Sequence, residues 1–313
     1  MALHTLLDLE LSVPDPDALA TFWTDLGMVR TDGTTLGTAD RPSQLRLTEG
    51  TWRHVSEVRI GCDDESDLVA VRDGLAALGV SSTVGDGVLR CSDPLGDHDV
   101  VVEVADVPPL TTPPERVPNR PGRHDRVNRR SSGAVRAEPA PPRRVGHVVF
   151  GTTDVAGSVA FWRDGLGFKV SDIVDGGIGT FLRCSTDHHN LLLMPAPVPC
   201  LNHYAVEMDD VDAIGLAGTR VMADRPDAPV YGPGRHVLGA NLFWYLLDPQ
   251  GGMFELFADM DQITDDEAWA ADEYRDDWDP FTIASWEPGP SKPDFFLPSD
   301  IDQLAAAREA AGR

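Results

Sequence analysis

Apolar and polar residues alternate over several short runs, and stretches with helical apolar spacing separate those runs. In Val145-Gly146-His147-Val148-Val149-Phe150 the alternation predicts a strand with His147 on one face and Val148 and Phe150 on the other. Leu201-Asn202-His203-Tyr204-Ala205-Val206 treats His203 the same way, and Gly252-Met253-Phe254-Glu255-Leu256-Phe257 sets a carboxylate among large apolar neighbours. Ser12–Met28 and Thr152–Phe168 share a second pattern: a strand end, an Asp-led turn and a short amphipathic helix. Asp15, Phe22, Trp23, Asp25, Leu26 and Gly27 match Asp154, Phe161, Trp162, Asp164, Leu166 and Gly167, with a one-residue slip at Gly165. The aspartate can cap the helix start and the glycine ends it.

Two further pairs extend the repeat. Arg53-His54-Val55 opens a strand running to Asp63-Asp64, before a helix over 67–78; Asn202-His203-Tyr204 opens one running to Asp209-Asp210, before another helix. Asp93-Pro94-Leu95-Gly96 and Asp248-Pro249-Gln250-Gly251 lie between β-rich runs and predict hairpin turns. The chain therefore reads as an α+β protein of four βαβββ-like units, two per half.

Composition marks the seams. Over residues 106–143 there are eight arginines against four acids, many prolines and few apolar residues, which cannot build a core. We divide the chain into 1–105, a Pro/Arg-rich linker 106–144, a second repeat pair 145–258, and an acidic segment 259–313 that holds Trp269, Trp278 and Trp286. Three tryptophans among acids suggest a docked lid or subunit contact, against which the Arg-rich linker could lie, and Asp300–Ala311 reads as a short helix. The formal net charge of −25 opposes nucleic-acid binding. No run reaches the roughly 18 apolar residues of a membrane span, and the first residues lack the features of a signal peptide. Cys62, Cys91, Cys184 and Cys200 form no CxxC, so neither a disulfide framework nor a thiolate zinc site is expected, in keeping with a cytoplasmic protein.

Chemistry concentrates in the second half. A glutamate inside an apolar strand is costly unless paired or bound to a cation. His147, His203 and Glu255 stand at equivalent places of the repeats, and two imidazoles with one carboxylate suit non-haem Fe(II), with Mn(II) accepted by the same set. Zinc usually binds such ligands tetrahedrally. In the first half, Asp8 stands at the place of His147, His54 at that of His203 and Val100 at that of Glu255, so no metal is expected there.

These units resemble the vicinal-oxygen-chelate superfamily, and four of them in two tandem open β-barrels resemble the type I extradiol ring-cleaving dioxygenases. The resemblance covers about residues 5–105 and 145–260. It rests on the triad, on His189 fourteen residues before His203, and on the string Gly232-Pro233-Gly234-Arg235-His236, Asn241, Phe243-Trp244-Tyr245 and Asp248-Pro249 before Glu255. It implies a metal centre in the second barrel, a catecholic substrate with O2, and a homo-oligomer. It also implies His189 as acid–base residue, Tyr245 and His236 as donors to substrate oxygens, and Asn241 and Phe181 at the substrate. Trp244, alternating away from Tyr245, is expected in packing, while Phe181, Leu191, Leu193 and Phe243 suggest an apolar wall and Arg183 and Arg235 are candidates to meet a charged substrate. A metal-dependent isomerase or lyase of the same fold and a non-catalytic protein that binds aromatic ligands are the rival readings.

Overall fold

A computed structural model describes residues 3–112, 117, 119–131, 140–174, 179–271, 284–287 and 295–312. The first half holds strands β1 (Leu3–Val13), β2 (Val29–Asp32), β3 (Thr35–Gly37), β4 (Leu45–Glu49), β5 (His54–Cys62), β6 (Ser82–Gly85), β7 (Val88–Ser92) and β8 (Asp99–Val104), with helices α1 (Pro16–Asp25) and α2 (Glu65–Ala77). The second holds β9 (Arg144–Thr152), β10 (Lys169–Val174), β11 (Gly179–Arg183), β12 (Leu191–Pro195), β13 (Cys200–Glu207), β14 (Pro229–His236), β15 (Leu242–Leu247) and β16 (Met253–Ala258). Its helices are α3 (Val155–Ala160), which runs into a π-helical turn over Phe161–Gly165, and α4 (Val211–Asp224).

The two sheets repeat one topology. The first is ordered β2-β3-β4-β1-β5-β8-β7-β6, and the second is β10-β11-β12-β9-β13-β16-β15-β14, extended at its edge by β17 (Ala284–Trp286). This is the α+β arrangement of four βαβββ units expected above. The turn aspartates act as anticipated: Asp15 accepts from the Ala18 amide at 2.9 Å and Asp154 from the Gly157 amide at 3.0 Å. Asp93 and Asp248 each accept two amides of their own hairpin turns.

The repeated tryptophans do more than fill a helix face. Trp23 on α1 donates to the Tyr204 hydroxyl at 2.9 Å and packs edge-on against Phe254, so the first half is hooked to the back of the second sheet. Trp162 reaches the other way and donates to Asp93 at 3.2 Å. One apolar core thus runs through both halves, from Leu9, Leu19 and Val58 to Tyr204, Phe254 and Leu256. No helix among the described residues is long and apolar enough to cross a membrane.

The end of the linker is fastened down: Arg143 pairs with Asp40 at 3.1 Å, and Ala39 donates to the Pro142 carbonyl. Residues 113–116, 118 and 132–139 of the linker, and 272–283 and 288–294 of the acidic segment with Trp278 among them, lie outside the described residues. Where the tract is described it pairs elsewhere than with linker arginines, Asp266 bonding Lys169 and Arg183. Trp269, on α5 (Asp266–Ala271), donates to the Ser171 carbonyl. Further on, α6 (Ile301–Ala310) starts beside Asp300, which holds Arg53 at 2.9 Å, and carries Arg308 onto Asp97.

A buried ion pair braces the loop before β12. Arg144 grips Asp187 through two bonds of 2.7 and 2.9 Å, and Asp187 also accepts from Ser185, Asn190 and Gln262. Burial pushes the Asp187 carboxyl up, but Arg144 outweighs it and the net direction is down. A depressed carboxyl pKa stabilises the fold above the ordinary value of about 3.9, and that stability is lost as pH falls through the folded value. Asp187→Ala, which leaves Arg144 buried, should therefore cost about 3 kcal/mol at pH 7. Urea midpoints of the two proteins should differ as much at pH 5 and converge only below about pH 4; a difference that vanished by pH 5 would contradict the assignment.

Candidate functional site

Three neighbouring strands build the site. Ala205 on β13 lies opposite His147 of β9 on one side and opposite Glu255 of β16 on the other. Both side chains therefore lean over the same small methyl group, and His203, two residues before Ala205, shares its face. The ligating atoms lie within 4.8 Å of one another. His147 Nε2 is 2.9 Å from Glu255 Oε2, and His203 Nε2 is 3.3 Å from the same oxygen without hydrogen-bond geometry. All three residues are buried. Burial alone pushes the Glu255 carboxyl up, yet His147 and His203 hold it below the usual carboxylate range. A buried carboxylate with two converging imidazoles, one with an unused ring nitrogen, fits a divalent cation of the type a facial triad holds. Gly146 lets Phe257 cross beside His147, since a Cβ at Gly146 would stand 2.3 Å from its ring.

Ala205 is the position whose smallness keeps this space open. Ala205→Leu should fold with a loss of about 1–3 kcal/mol, the usual range for overpacking, and hold no divalent cation. Thermal melts and metal analysis of the purified variant check this; full metal content would show that the side chain does not enter the site.

Histidines and a tyrosine surround the triad. The ring of His189 lies 4.3 Å from that of His147, centre to centre, and Phe181 packs edge-on to His189 at 4.9 Å. His189 Nδ1 is 3.0 Å from His188 Nδ1, and His188 Nε2 is 2.7 Å from Asp172 Oδ2. A carboxylate accepts only, so His188 Nε2 donates to Asp172. With His188 neutral, its Nδ1 then accepts from His189, which leaves His189 Nε2 with a free lone pair. Burial, followed by the neighbouring imidazoles of His147 and His188, holds His189 well below the ordinary histidine range. Across the site, Tyr245 of β15 stands opposite Glu255, and its hydroxyl is 2.9 Å from His236 Nε2. Burial first, then Glu255, pushes the Tyr245 phenol well up, so it stays a proton donor.

The structure gathers His189, Phe181, His236 and Tyr245 around the triad and turns other residues singled out from the sequence elsewhere. Asn241, a candidate for the substrate or for orienting His236 or a strand, is fully buried; its side chain donates to Glu255 Oε1 at 3.0 Å, and its backbone carbonyl accepts from the His236 amide. Leu191 lies opposite Val148, on the core face, and Leu193 likewise packs in the core, so neither forms the wall. Leu192 shares the His147 face and lies opposite Phe181. Trp244 points away from the site onto Gly218, as expected. Arg183 and Arg235 are engaged by Asp266 and Asp259. Sequence reasoning missed His188 and Asn202, which bond His189 and His203, and Asp172, which bonds His188; the one signal available was that His188 and Asn202 adjoin His189 and His203.

The register also corrects the comparison between halves. Leu9–Val58 and Val148–Tyr204 are equivalent pairs, which makes Glu57, not His54, the counterpart of His203, and Val101, not Val100, that of Glu255. Asp8 stays the counterpart of His147. Between the two acids lies a guanidinium: Arg46 bonds Asp8 at 2.9 Å and Glu57 at 2.6 Å. Its cation lies at the place equivalent to the triad of the other half, while His54 stacks on Trp52.

Comparisons with known proteins agree with this geometry. Residues 144–256 match the model of the Glyoxalase/Bleomycin resistance protein/Dioxygenase superfamily. The chain is 31% identical over 304 residues to Metapyrocatechase 2 of Cupriavidus necator, covering 95% of this chain and 92% of that protein. It is 28% identical over 268 residues to an iron-dependent extradiol dioxygenase of Rhodococcus jostii, covering 79% and 86%. Among solved structures, a Mn(II)-bound glyoxalase from Novosphingobium aromaticivorans has a TM-score of 0.71 at 23% identity, over 95% of this chain and 94% of that one. The 2,2',3-trihydroxybiphenyl 1,2-dioxygenase of Sphingomonas wittichii has a TM-score of 0.70 at 20% identity, over 92% and 100%. These two structures share the fold.

Proposed function

The chain belongs to the extradiol dioxygenases of the glyoxalase/bleomycin resistance protein/dioxygenase superfamily, and we propose that it opens a catechol ring beside its two hydroxyls. Both atoms of O2 enter the product, a muconic semialdehyde, and the metal is Fe(II) held by His147, His203 and Glu255. The observation that carries the reading is the convergence of three ligating atoms within 4.8 Å, with His189 and the Tyr245–His236 pair around them. The ligand set accepts Mn(II) as well as Fe(II); an iron-dependent relative favours Fe(II).

Bound Fe(II) would supply the electronic coupling between a chelated catecholate and O2 that neither has alone. The protein supplies position and protons. His189 Nε2, with its lone pair free, takes a proton from a catechol hydroxyl and returns it to the oxygen that develops negative charge. The Tyr245 hydroxyl, held by His236, donates to a substrate oxygen on its side. Asn241 holds the Glu255 carboxylate in place through Oε1. Phe181 and Leu192 offer apolar surface to the ring, with Phe243 stacked on the His236 ring instead, and because Arg183 and Arg235 are already paired, an aryl- or alkyl-catechol suits the site better than a carboxylated one. The four unpaired cysteines accord with a reducing cytoplasm.

Oxygen uptake tests this reading. Anaerobically purified protein reconstituted with Fe(II) is given a panel of catechols while visible absorbance is recorded. One O2 consumed per yellow product formed is the expected result. No uptake with iron demonstrably bound would turn attention to the isomerase or ligand-binding alternatives.

A further inference from the structure

His203 binds a metal through Nε2 only if its proton sits on Nδ1, and the structure contains a device for putting it there. Asn202 is the extra residue of a β-bulge, since pairing with β9 steps from Leu201–Phe150 directly to His203–Val149. A bulge re-aims a side chain that would otherwise point to the opposite face, and Asn202 Oδ1 comes within 2.7 Å of His203 Nδ1. The other end of the same amide donates to the main-chain carbonyls of Phe296 at 3.0 Å and Phe295 at 3.4 Å. Carbonyls only accept, so the amide nitrogen must face them and the amide oxygen must face His203. The oxygen in turn demands a proton on Nδ1, which leaves Nε2 free as a ligand. Released from those carbonyls, the amide could turn over, present its NH2 to Nδ1 and drive the proton to Nε2, where it blocks ligation.

The segment supplying the carbonyls is itself anchored at the site. Phe295 packs against Tyr231 and Tyr245, each at 4.8 Å between ring centres, and Tyr245 lies 5.0 Å from His203. We propose that the C-terminal segment, through the Phe295 and Phe296 carbonyls on Asn202, holds His203 in its metal-binding form, so that docking of this segment and retention of the metal are linked. Asn202 is then a positioning residue, and Phe295 acts on the metal without touching it. This inference rests on reading the triad as an Fe(II) site.

The test is Fe(II) affinity of the full-length, metal-depleted protein, measured anaerobically against a coloured chelator. Asn202→Leu should weaken binding about 10–100-fold, the range for loss of an outer partner of a ligating histidine. Phe295→Ala should weaken it in the same direction, and the double variant should be no weaker than Asn202→Leu alone. Asn202→Asp is the decisive rescue. A carboxylate can only accept, so it keeps the proton on His203 Nδ1 even though its second oxygen, facing the same carbonyls, can no longer hold the segment; it should bind Fe(II) more tightly than Asn202→Leu does, and adding Phe295→Ala to it should change nothing. Melting temperatures of the metal-free variants establish that they fold. Wild-type affinity in folded Asn202→Leu, multiplying effects in the double variant, or failure of Asn202→Asp to rescue would each overturn the inference. A wild-type protein that binds no Fe(II) would overturn the iron reading beneath it, which is a different result.

Discussion

His203→Ala should abolish ring cleavage by abolishing metal binding, and the two losses should track each other. Three ligands meet at one buried point, and removing one leaves His147 and Glu255 alone to replace the hydration shell of the cation. Loss of an outer partner of a ligating histidine already costs about 10–100-fold in metal affinity, so loss of the ligand itself should exceed that. The expected measurement is metal content falling from about one Fe(II) per chain to background, with O2 uptake falling alike. Stability provides an independent check. A ligand that binds only the folded state stabilises it by about 2.7 kcal/mol at a free concentration one hundred times Kd, so Fe(II) should raise the melting temperature of the wild type and leave that of the variant unmoved. The metal-free variant should melt somewhat below the metal-free wild type, because it forfeits the His203 Nδ1–Asn202 Oδ1 bond and the packing of a buried ring, so the response to Fe(II) rather than the starting melting temperature is the readout. A variant that keeps its iron and its thermal response to iron would mean that His203 is not a ligand.

The repeats made the architecture legible, and the ladder explains why. Aspartate-capped helices and Asp-Pro turns recur at matching offsets, and these are local features whose chemistry can be seen in a few residues. The triad was legible for the same reason: His147, His203 and Glu255 are polar interruptions in apolar strands. Register was not. The pairing of β1 with β5 contains three shifts, and each shift displaces the count that sequence spacing relies on. Matching Arg53-His54 to Asn202-His203 therefore selected His54, where the structure has Glu57. Side-chain direction failed in a similar way at Leu191 and Leu193, which alternate onto the core face while Leu192 takes the inner one. Asn202 carries no signal of its own, and Asn241 is singled out without its bond to Glu255, because an amide that braces another side chain looks in sequence like any amide beside a strand. The contacts Trp23–Tyr204 and Trp162–Asp93 join residues far apart in the chain, which no local pattern encodes.

The second large effect belongs to His189. His189→Phe should keep the metal yet lose about 10²–10⁴ in kcat, the range for removal of a positioned acid–base group. The substitution is chosen because phenylalanine can keep the packing against Phe181 and the His147 ring while removing both ring nitrogens. Iron content should match wild type, since the triad is untouched, and KM should change less than kcat, since the lost group acts on a proton in transit. The pH profile separates this role from a steric one. Burial, and then the histidines around it, lower the His189 pKa, so its base form is present above a value under the ordinary 6.5 and is lost as pH falls through it. Wild-type kcat should therefore fall on the acid side below that ordinary value, and the variant should be slow with that limb gone. The Asp172–His188 pair should matter less, since it sets which nitrogen of His189 carries the proton but does not itself transfer one. Should His189→Phe turn over at the wild-type rate across the pH series, the proton would have to move through another group, and Tyr245 with His236 is the pair close enough to Glu255 to serve.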